Sequence, residues 1–146
     1  MTAKDDVFLL RAKIDELDTM THQLAQKLPK AERHVLAASL RAVVDNIIRL
    51  EVQVSYQQGS EARRRVRPEG TYRLLCRLDA EVGLFKRKVQ QTANLGYVPR
   101  HISAKAHAEW AALAQEVGSL LGAWLKTVET RLYPARGVQP QQGQLR

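Results

Sequence analysis

The feature that most constrains this chain is a set of four segments in which apolar residues recur at intervals of three and four. A period of about 3.6 residues places the apolar side chains on one face of an α-helix. Prolines at positions 29, 68 and 99 separate the four segments. The pattern therefore predicts four amphipathic helices and no β-strand.

The limits of each helix can be predicted from the residues that favour helix starts and stops. The first helix is expected from about residue 5 to 28 and the second from about 29 to 58, with Pro29 at a first helical position. The third spans about 69–95 and stops at Gly96, and the fourth follows Ser103, a predicted N-cap. Four long helices with short connections predict an all-α, antiparallel up-down four-helix bundle.

The chain is expected to contain one folded domain and a tail. Its 146 residues are enough to bury a single hydrophobic core, and we assign residues 1–134 to the bundle. The connection between the second and third helices is predicted to run from 57 to 68 and is heavily basic. Residues 135–146 are rich in Gln, Gly and Pro and have no helical periodicity, so they are expected to be disordered.

The sequence offers few groups for catalysis or metal binding. One cysteine and four histidines do not favour a structural zinc site. Glu32 and His34, like His107 and Glu109, are two residues apart, which does not place both side chains on one helix face. No glycine-rich phosphate loop or Gly-x-Ser-x-Gly elbow occurs. We predict no catalytic residue, metal or cofactor, with a small metal- or ligand-dependent enzyme as an alternative.

The chain is also expected to be cytoplasmic. No apolar stretch reaches the roughly 18 residues needed to span a membrane. The first eight residues are polar and acidic ahead of the first apolar run, which is unlike a secretory signal.

Positive charge is concentrated in the middle of the chain. Lys and Arg number 23 against 15 Asp and Glu, a net charge of +8, and residues 52–108 hold eleven basic residues against four acidic ones. A concentrated basic surface binds nucleic acid through counterion release, and arginine binds phosphate with paired hydrogen bonds. We predict a polyanion-binding surface without base-specific readout, because no RNP motif or zinc finger is present; an ordinary solvated face is the alternative. The candidate residues are Arg63, Arg64, Arg65, Arg67, Arg73, Arg77, Lys86, Arg87, Lys88, Arg100 and Lys105.

The fourth segment contains residues suited to close packing. Gly118 and Gly122 are four apart on one helix face, where glycine costs about 1 kcal/mol relative to alanine. Because glycine destabilises a helix, we expect it where its small size lets another helix come close. Trp110 and Trp124 are large apolar anchors on a neighbouring face, and they are assigned either to the bundle core or to a subunit interface, where tryptophan is enriched.

Several stretches resemble a known family. The most specific is EVGSLLGAWLK at 116–126, and KLPKAERHVLAASLR at 27–41, LDAEVGLFKRKV at 78–89 and ISAKAHAEW at 102–110 agree with it. They resemble the four helix bundle protein family, which includes the 23S rRNA intervening-sequence proteins and the Avd proteins, the accessory variability determinants of diversity-generating retroelements. The high basic charge favours the Avd branch.

The resemblance implies both an assembly and a function. It implies a helical protomer that forms a homopentameric ring or barrel, and a non-enzymatic accessory protein that binds a reverse transcriptase, RNA and DNA to support mutagenic cDNA synthesis. The alternative is a generic RNA-binding bundle of the intervening-sequence type with no reverse transcriptase partner. Gln90, Gln91 and Thr92 stand where members of the family often have Leu-Arg-Leu-like residues, so partner contacts there are expected to differ.

Overall fold

Four long helices make up the fold. The computed structural model describes residues 3–134, and within them the helices are α1 (Ala3–Ala25), α2 (Leu36–Arg64), α3 (Glu69–Asn94) and α4 (Ala104–Leu132). A single 3-10 turn, Lys30–Glu32, lies in the first connection, and this part of the chain has no β-strand. The all-helical prediction is confirmed. The predicted tail, residues 135–146, lies outside the described residues.

The helices form an antiparallel bundle in which each contacts two neighbours. Helix α2 packs between α1 and α3, and α4 packs between α3 and α1, so α1 and α3 occupy one diagonal of the described bundle. The direction of packing follows from cross-helix contacts. Asn46 of α2 donates to Glu81 of α3 at 3.4 Å, whereas Glu61, fifteen residues further along α2, accepts from Gly70, eleven residues earlier on α3.

The core is built from the predicted apolar stripes. Trp110 of α4 is fully buried, its indole Nε1 donates to Thr21 Oγ1 of α1 at 3.0 Å, and its ring meets Phe85 of α3 edge-on with centroids 6.0 Å apart. Trp124 is also buried. Both tryptophans therefore pack inside the bundle of a single chain.

Helix α2 begins later than the sequence suggested. Pro29 has extended backbone angles and precedes the 3-10 turn, and α2 starts only at Leu36, so the predicted start at Pro29 is wrong. The reason is that the buried stripe of α2 itself begins at Leu36, whereas Arg33 and His34 are exposed. The intervening residues make the turn that reverses the chain.

Helix α2 also ends later, at Arg64, so the predicted connection over 57–68 shrinks to the four residues 65–68. The cause is Glu61, a carboxylate that is only 5% exposed. Its Oε2 accepts from the backbone N–H groups of Gly70 at 2.9 Å and Thr71 at 3.2 Å, and from the Gln57 amide at 2.8 Å. Glu61 thus caps the N-terminus of α3 from the neighbouring helix, which holds the last turns of α2 in place.

Gly70 leaves room for this cap. A Cβ at position 70 would lie 2.7 Å from Glu61 Oε2 and would also overlap the Gln57 amide. A side chain at residue 70 would therefore require the ends of the Gln57 and Glu61 side chains to move.

We expect Glu61→Gln to lower the free energy of unfolding by about 1–2 kcal/mol at neutral pH, because the charge-assisted bonds to the α3 N-terminus become neutral ones. Burial acts to raise the pKa of the Glu61 carboxyl, but hydrogen bonds from Gln57, Thr71 and Gly70 outweigh it, so its pKa lies below the ordinary 4.5. The stabilisation is therefore present above pH 4.5 and lost as the pH falls through the lowered value.

Urea unfolding of wild type and Glu61→Gln between pH 7 and pH 3 measures this difference. The gap between the two proteins should shrink below about pH 4.5. Glu109→Gln, which removes an exposed carboxylate, is the matched control and should stay within about 0.5 kcal/mol of wild type. A gap that does not change with pH would contradict the capping role.

The other predicted helix limits are close to those observed. Helix α3 ends at Asn94, and Gly96 follows with φ of +83°, a left-handed conformation that glycine adopts without strain. Ser103 is the N-cap of α4, and its Oγ accepts from the Ala106 N–H at 3.0 Å. Both predicted end signals are confirmed.

Candidate nucleic-acid interface

The arginines between α2 and α3 do not form a free loop. Arg63 and Arg64 lie in the last turn of α2, and Arg65 is its C-cap with φ of +55°. The Arg67 guanidinium donates to the carbonyl of Leu132 at the end of α4. The prediction that these arginines lie outside the helices is therefore correct only for Arg65 and Arg67.

The basic residues of α3 point in three directions. At about 100° per residue, Arg73, Arg77 and Arg87 lie on the side of α3 opposite the core, and all three are exposed. Lys86 instead lies against α4, because a Cβ at Gly118 would be 2.6 Å from its Nζ. Lys88 lies on the side that faces α2 and is half-buried.

Arg100 and Lys105 lie at the far end of the bundle. Both are exposed, in and just after the connection between α3 and α4. Helix α3 has 26 residues, so at 1.5 Å per residue these two residues are about 40 Å from Arg67. The eleven predicted residues therefore follow the whole length of α3 and do not form one compact patch.

The eleven basic residues share one electrostatic property: none forms a salt bridge with a side chain of residues 7–134. The ion pairs in this range join Arg11 to Glu51 at 2.9 Å, Lys13 to Glu16 and Glu116 at 3.5 and 3.4 Å, and His22 to Asp18 at 3.2 Å. All of them involve α1. Arg11 and Lys13 of α1 are thus neutralised by neighbouring carboxylates, and the basic residues of α3 are left to interact with solvent or with an external anion.

Helix α2 adds a second basic ridge that the sequence analysis missed. Arg49, Tyr56 and Arg63 are spaced by seven residues, so they line up on the side of α2 opposite its core, and all three are exposed. We call these residues, together with Arg73, Arg77 and Arg87, the α2–α3 basic face. The seven-residue spacing was visible in the sequence, but the packing of α2 beside α3 was not.

A further group of basic residues, which the sequence analysis did not single out, lies at the end of the bundle that carries Arg100 and Lys105. Lys27, Lys30 and Arg33 are exposed in the α1–α2 connection, which the sequence analysis assigned mainly to helix. The Tyr97 hydroxyl donates to Glu32 at 2.7 Å, and this bond ties the connection to the one that carries Arg100. The same hydrogen bond raises the pKa of the Tyr97 hydroxyl.

The two glycines of α4 have different surroundings. Gly118 lies under the Lys86 side chain, so its missing Cβ makes room for a lysine from α3. Gly122 is exposed, and a Cβ there would meet nothing within 4 Å. Within the described chain, no other helix approaches Gly122.

The described side chains form a cleft but no cluster of metal ligands. No group of three or more His, Cys, Asp or Glu side chains between residues 7 and 134 is arranged to hold a metal ion. A cleft of about 380 Å³ lies between α1 and α4 near the end of α2, and its described lining includes Trp124, Arg11 and Arg131 but no histidine, cysteine or carboxylate. None of the described helices is apolar and long enough to cross a membrane.

The fold and the site together define a class: an antiparallel four-helix bundle whose α2–α3 side carries arginines that form no salt bridge with the side chains of residues 7–134. The sequence profile of the bAvd-like family matches residues 8–128, which covers nearly all of the described bundle. The chain belongs to the bAvd-like family. Among curated proteins, none matches the sequence significantly.

Proposed function

We propose that this chain is the non-enzymatic accessory protein of a diversity-generating retroelement, which binds the reverse transcriptase of the element and its template RNA and cDNA. Membership of the bAvd-like family supports the retroelement assignment over the intervening-sequence alternative. The observation that supports nucleic-acid binding is the absence of salt bridges between the eleven basic residues and the side chains of residues 7–134, whereas Arg11 and Lys13 of α1 are paired. The reverse transcriptase would supply the chemistry, and this chain would supply binding and positioning.

The α2–α3 basic face is the surface that we assign to the nucleic acid. Phosphate groups favour a row of arginines at a rigid spacing, which the α2–α3 basic face provides on two packed helices. Arg64, Arg65 and Arg67 extend the row at one end, and Arg100 and Lys105 extend it at the other.

A co-purification experiment tests the reverse transcriptase partner. The tagged chain is expressed with the reverse transcriptase of the proposed retroelement, and the two proteins are expected to elute together from a sizing column. A parallel expression with an unrelated group II intron reverse transcriptase is the control. If the chain binds RNA but neither enzyme, it is a generic RNA-binding bundle of the intervening-sequence type.

We further propose that the chain assembles into a homopentamer. Membership of the family motivates this count. The outer face of α4 carries the small exposed residues Ala108, Ala112, Ser119 and Gly122 beside the longer Gln115, which leaves room for another helix to approach. Light scattering at micromolar concentration is expected to give about 80 kDa for five copies of the 16.5 kDa chain. A mass of one chain would rule out the assembly.

Bound RNA is expected to slow the alkylation of Cys76 several-fold. This residue is the single cysteine of the chain, it is exposed, and it lies on α3 between Arg73 and Arg77. A nucleic-acid strand held by those arginines would cover the thiol. The rate of modification by N-ethylmaleimide, followed by mass spectrometry with and without saturating RNA, gives the protection.

A relocated cysteine provides the control for that measurement. In Cys76→Ser combined with Thr19→Cys, the thiol is exposed on α1, diagonally across the bundle from α3. Its alkylation rate should not change when RNA is added. Equal protection at both positions would mean that RNA does not favour the α3 side.

A further inference from the structure

We propose that Tyr56 is a stacking platform for a base of single-stranded nucleic acid, whose backbone is held by the arginines around it. This inference rests on the proposed function and specifies the form of nucleic acid that the α2–α3 basic face takes. Tyr56 is the most exposed large apolar side chain among the described residues, at 77%. Its hydroxyl forms no hydrogen bond with another described residue.

The position of Tyr56 on α2 places it between two arginines. Arg49 precedes it and Arg63 follows it by seven residues each, so the three lie in line, about 10 Å apart along the helix axis. Val52, one turn before Tyr56, is 43% exposed and extends the apolar surface beside the ring. An aromatic ring therefore interrupts a basic ridge at its midpoint.

Helix α3 supplies arginines at the same level of the bundle. Gln57, the next residue after Tyr56, has its amide against Gly70, and Asn46 meets Glu81. The two helices are antiparallel and rise by the same distance per residue. Tyr56 lies ten residues after Asn46, so it is level with the residues about ten positions before Glu81, which are residues 71–73. Arg73 and Arg77 thus lie beside it on the neighbouring ridge, with helix axes about 8–10 Å apart.

Few negative charges are left near the ring. Glu61 is buried as the cap of α3, and Glu51 is buried and paired with Arg11. Glu69, in the first turn of α3, is exposed and lies one turn before Arg73, but it forms no salt bridge with a described residue. Asp45, one turn before Arg49, and Glu81, which meets Asn46, lie about 15 Å further along the bundle axis. The immediate surroundings of Tyr56 are therefore basic.

This combination favours single strands over duplexes. Proteins that bind single-stranded nucleic acid combine a basic track for the backbone with aromatic side chains on which bases stack. In a duplex the bases are stacked on each other, and only phosphates and groove edges are available to a convex helical surface. A ring that stands directly out from α2 can meet a base only when the base is unpaired.

Fluorescence anisotropy with a labelled 20-nucleotide single strand tests the proposal. Tyr56→Ala is expected to weaken binding about tenfold, which is typical for the loss of one stacked base, whereas Tyr56→Phe keeps the ring and should stay within about twofold. The salt dependence of Tyr56→Ala should be unchanged, because no phosphate contact is lost. Single-stranded DNA of the same sequence should show the same loss, since stacking does not use the 2′-hydroxyl.

The same measurements contain the results that would overturn the proposal. The proposal is wrong if Tyr56→Ala binds the single strand as tightly as wild type, loses as much affinity for a blunt duplex, or loses affinity for RNA alone. It is also wrong if Tyr56→Phe loses as much affinity as Tyr56→Ala. A changed oligomeric state of Tyr56→Ala would instead make Tyr56 a subunit contact. Failure of the proposed function has a different signature. In that case the wild-type protein itself, or its arginine variants, would show no salt-dependent binding of any strand.

Discussion

A variant with Arg73, Arg77 and Arg87 replaced by glutamine is expected to bind single-stranded RNA about 100-fold more weakly than wild type at 0.1 M salt. Each lost phosphate contact reduces the log–log salt slope by about 0.7, which amounts to about fivefold in affinity at this salt concentration. Three contacts therefore lower the slope by about 2 in total. The three side chains are exposed and lie opposite the core, so the helical fold should persist.

A charge-matched variant separates position from total charge. Lys27, Lys30 and Arg33, changed to glutamine together, remove the same three charges from the end of the bundle far from Tyr56. This variant should lose much less affinity and retain most of its salt slope. Equal losses in both variants would mean that RNA responds to net charge alone. A loss restricted to one RNA sequence would mean that the arginines read bases.

Two further glutamine variants change groups of neighbouring basic residues that were predicted from the sequence to bind nucleic acid. Changing Lys86, Arg87 and Lys88 to glutamine should act mainly through Arg87, because Lys86 lies against Gly118 of α4 and Lys88 is half-buried on the α2 side. Changing Arg63, Arg64 and Arg65 should weaken binding. Arg67 is left unchanged there, because its bond to the Leu132 carbonyl joins the α2–α3 connection to α4.

Trp110→Ala is expected to lower the free energy of unfolding by about 4 kcal/mol. The side chain is fully buried, so its removal leaves a large cavity between α4, α1 and α3. It also leaves the Thr21 hydroxyl without the indole donor and Phe85 without its edge-on ring partner. Urea unfolding at one fixed protein concentration, followed by circular dichroism, measures the change.

Two milder changes divide this loss into its parts. Trp110→Phe keeps most of the ring volume but removes the N–H group, and Thr21→Val removes only the acceptor. Each should cost about 1–2 kcal/mol. If Trp110→Ala costs less than about 1 kcal/mol, Trp110 is not part of a tightly packed core.

The periodicity of the sequence was sufficient to predict four helices and most of their buried faces. Residues such as Leu78, Phe85 and Val117 are buried as their spacing requires, because the 3.6-residue repeat of the backbone fixes which side chains share a face. Capping residues such as Ser103 and Gly96 act locally, over a few neighbouring residues, and for that reason they were identified correctly.

The error at the C-terminal end of α2 has a cause outside local sequence. Glu61 appears in the sequence as a charged residue in a polar, glycine-containing stretch, which favours a loop. It is helical because its carboxylate binds backbone N–H groups of Gly70 and Thr71 on a different helix. A contact between residues nine and ten positions apart across a turn cannot be read from helical propensity.

The sequence by itself determined the number of helices, their apolar faces, the excess of positive charge and the membership of the family. Tertiary structure decided how that charge is arranged, because ion pairs and neighbouring ridges depend on which helices pack together. It placed Lys86 against α4, paired Arg11 with Glu51, and set Tyr56 level with Arg73 on α3. Helix periodicity acts within one segment, whereas the register between two segments is set by side chains that meet only in the folded bundle.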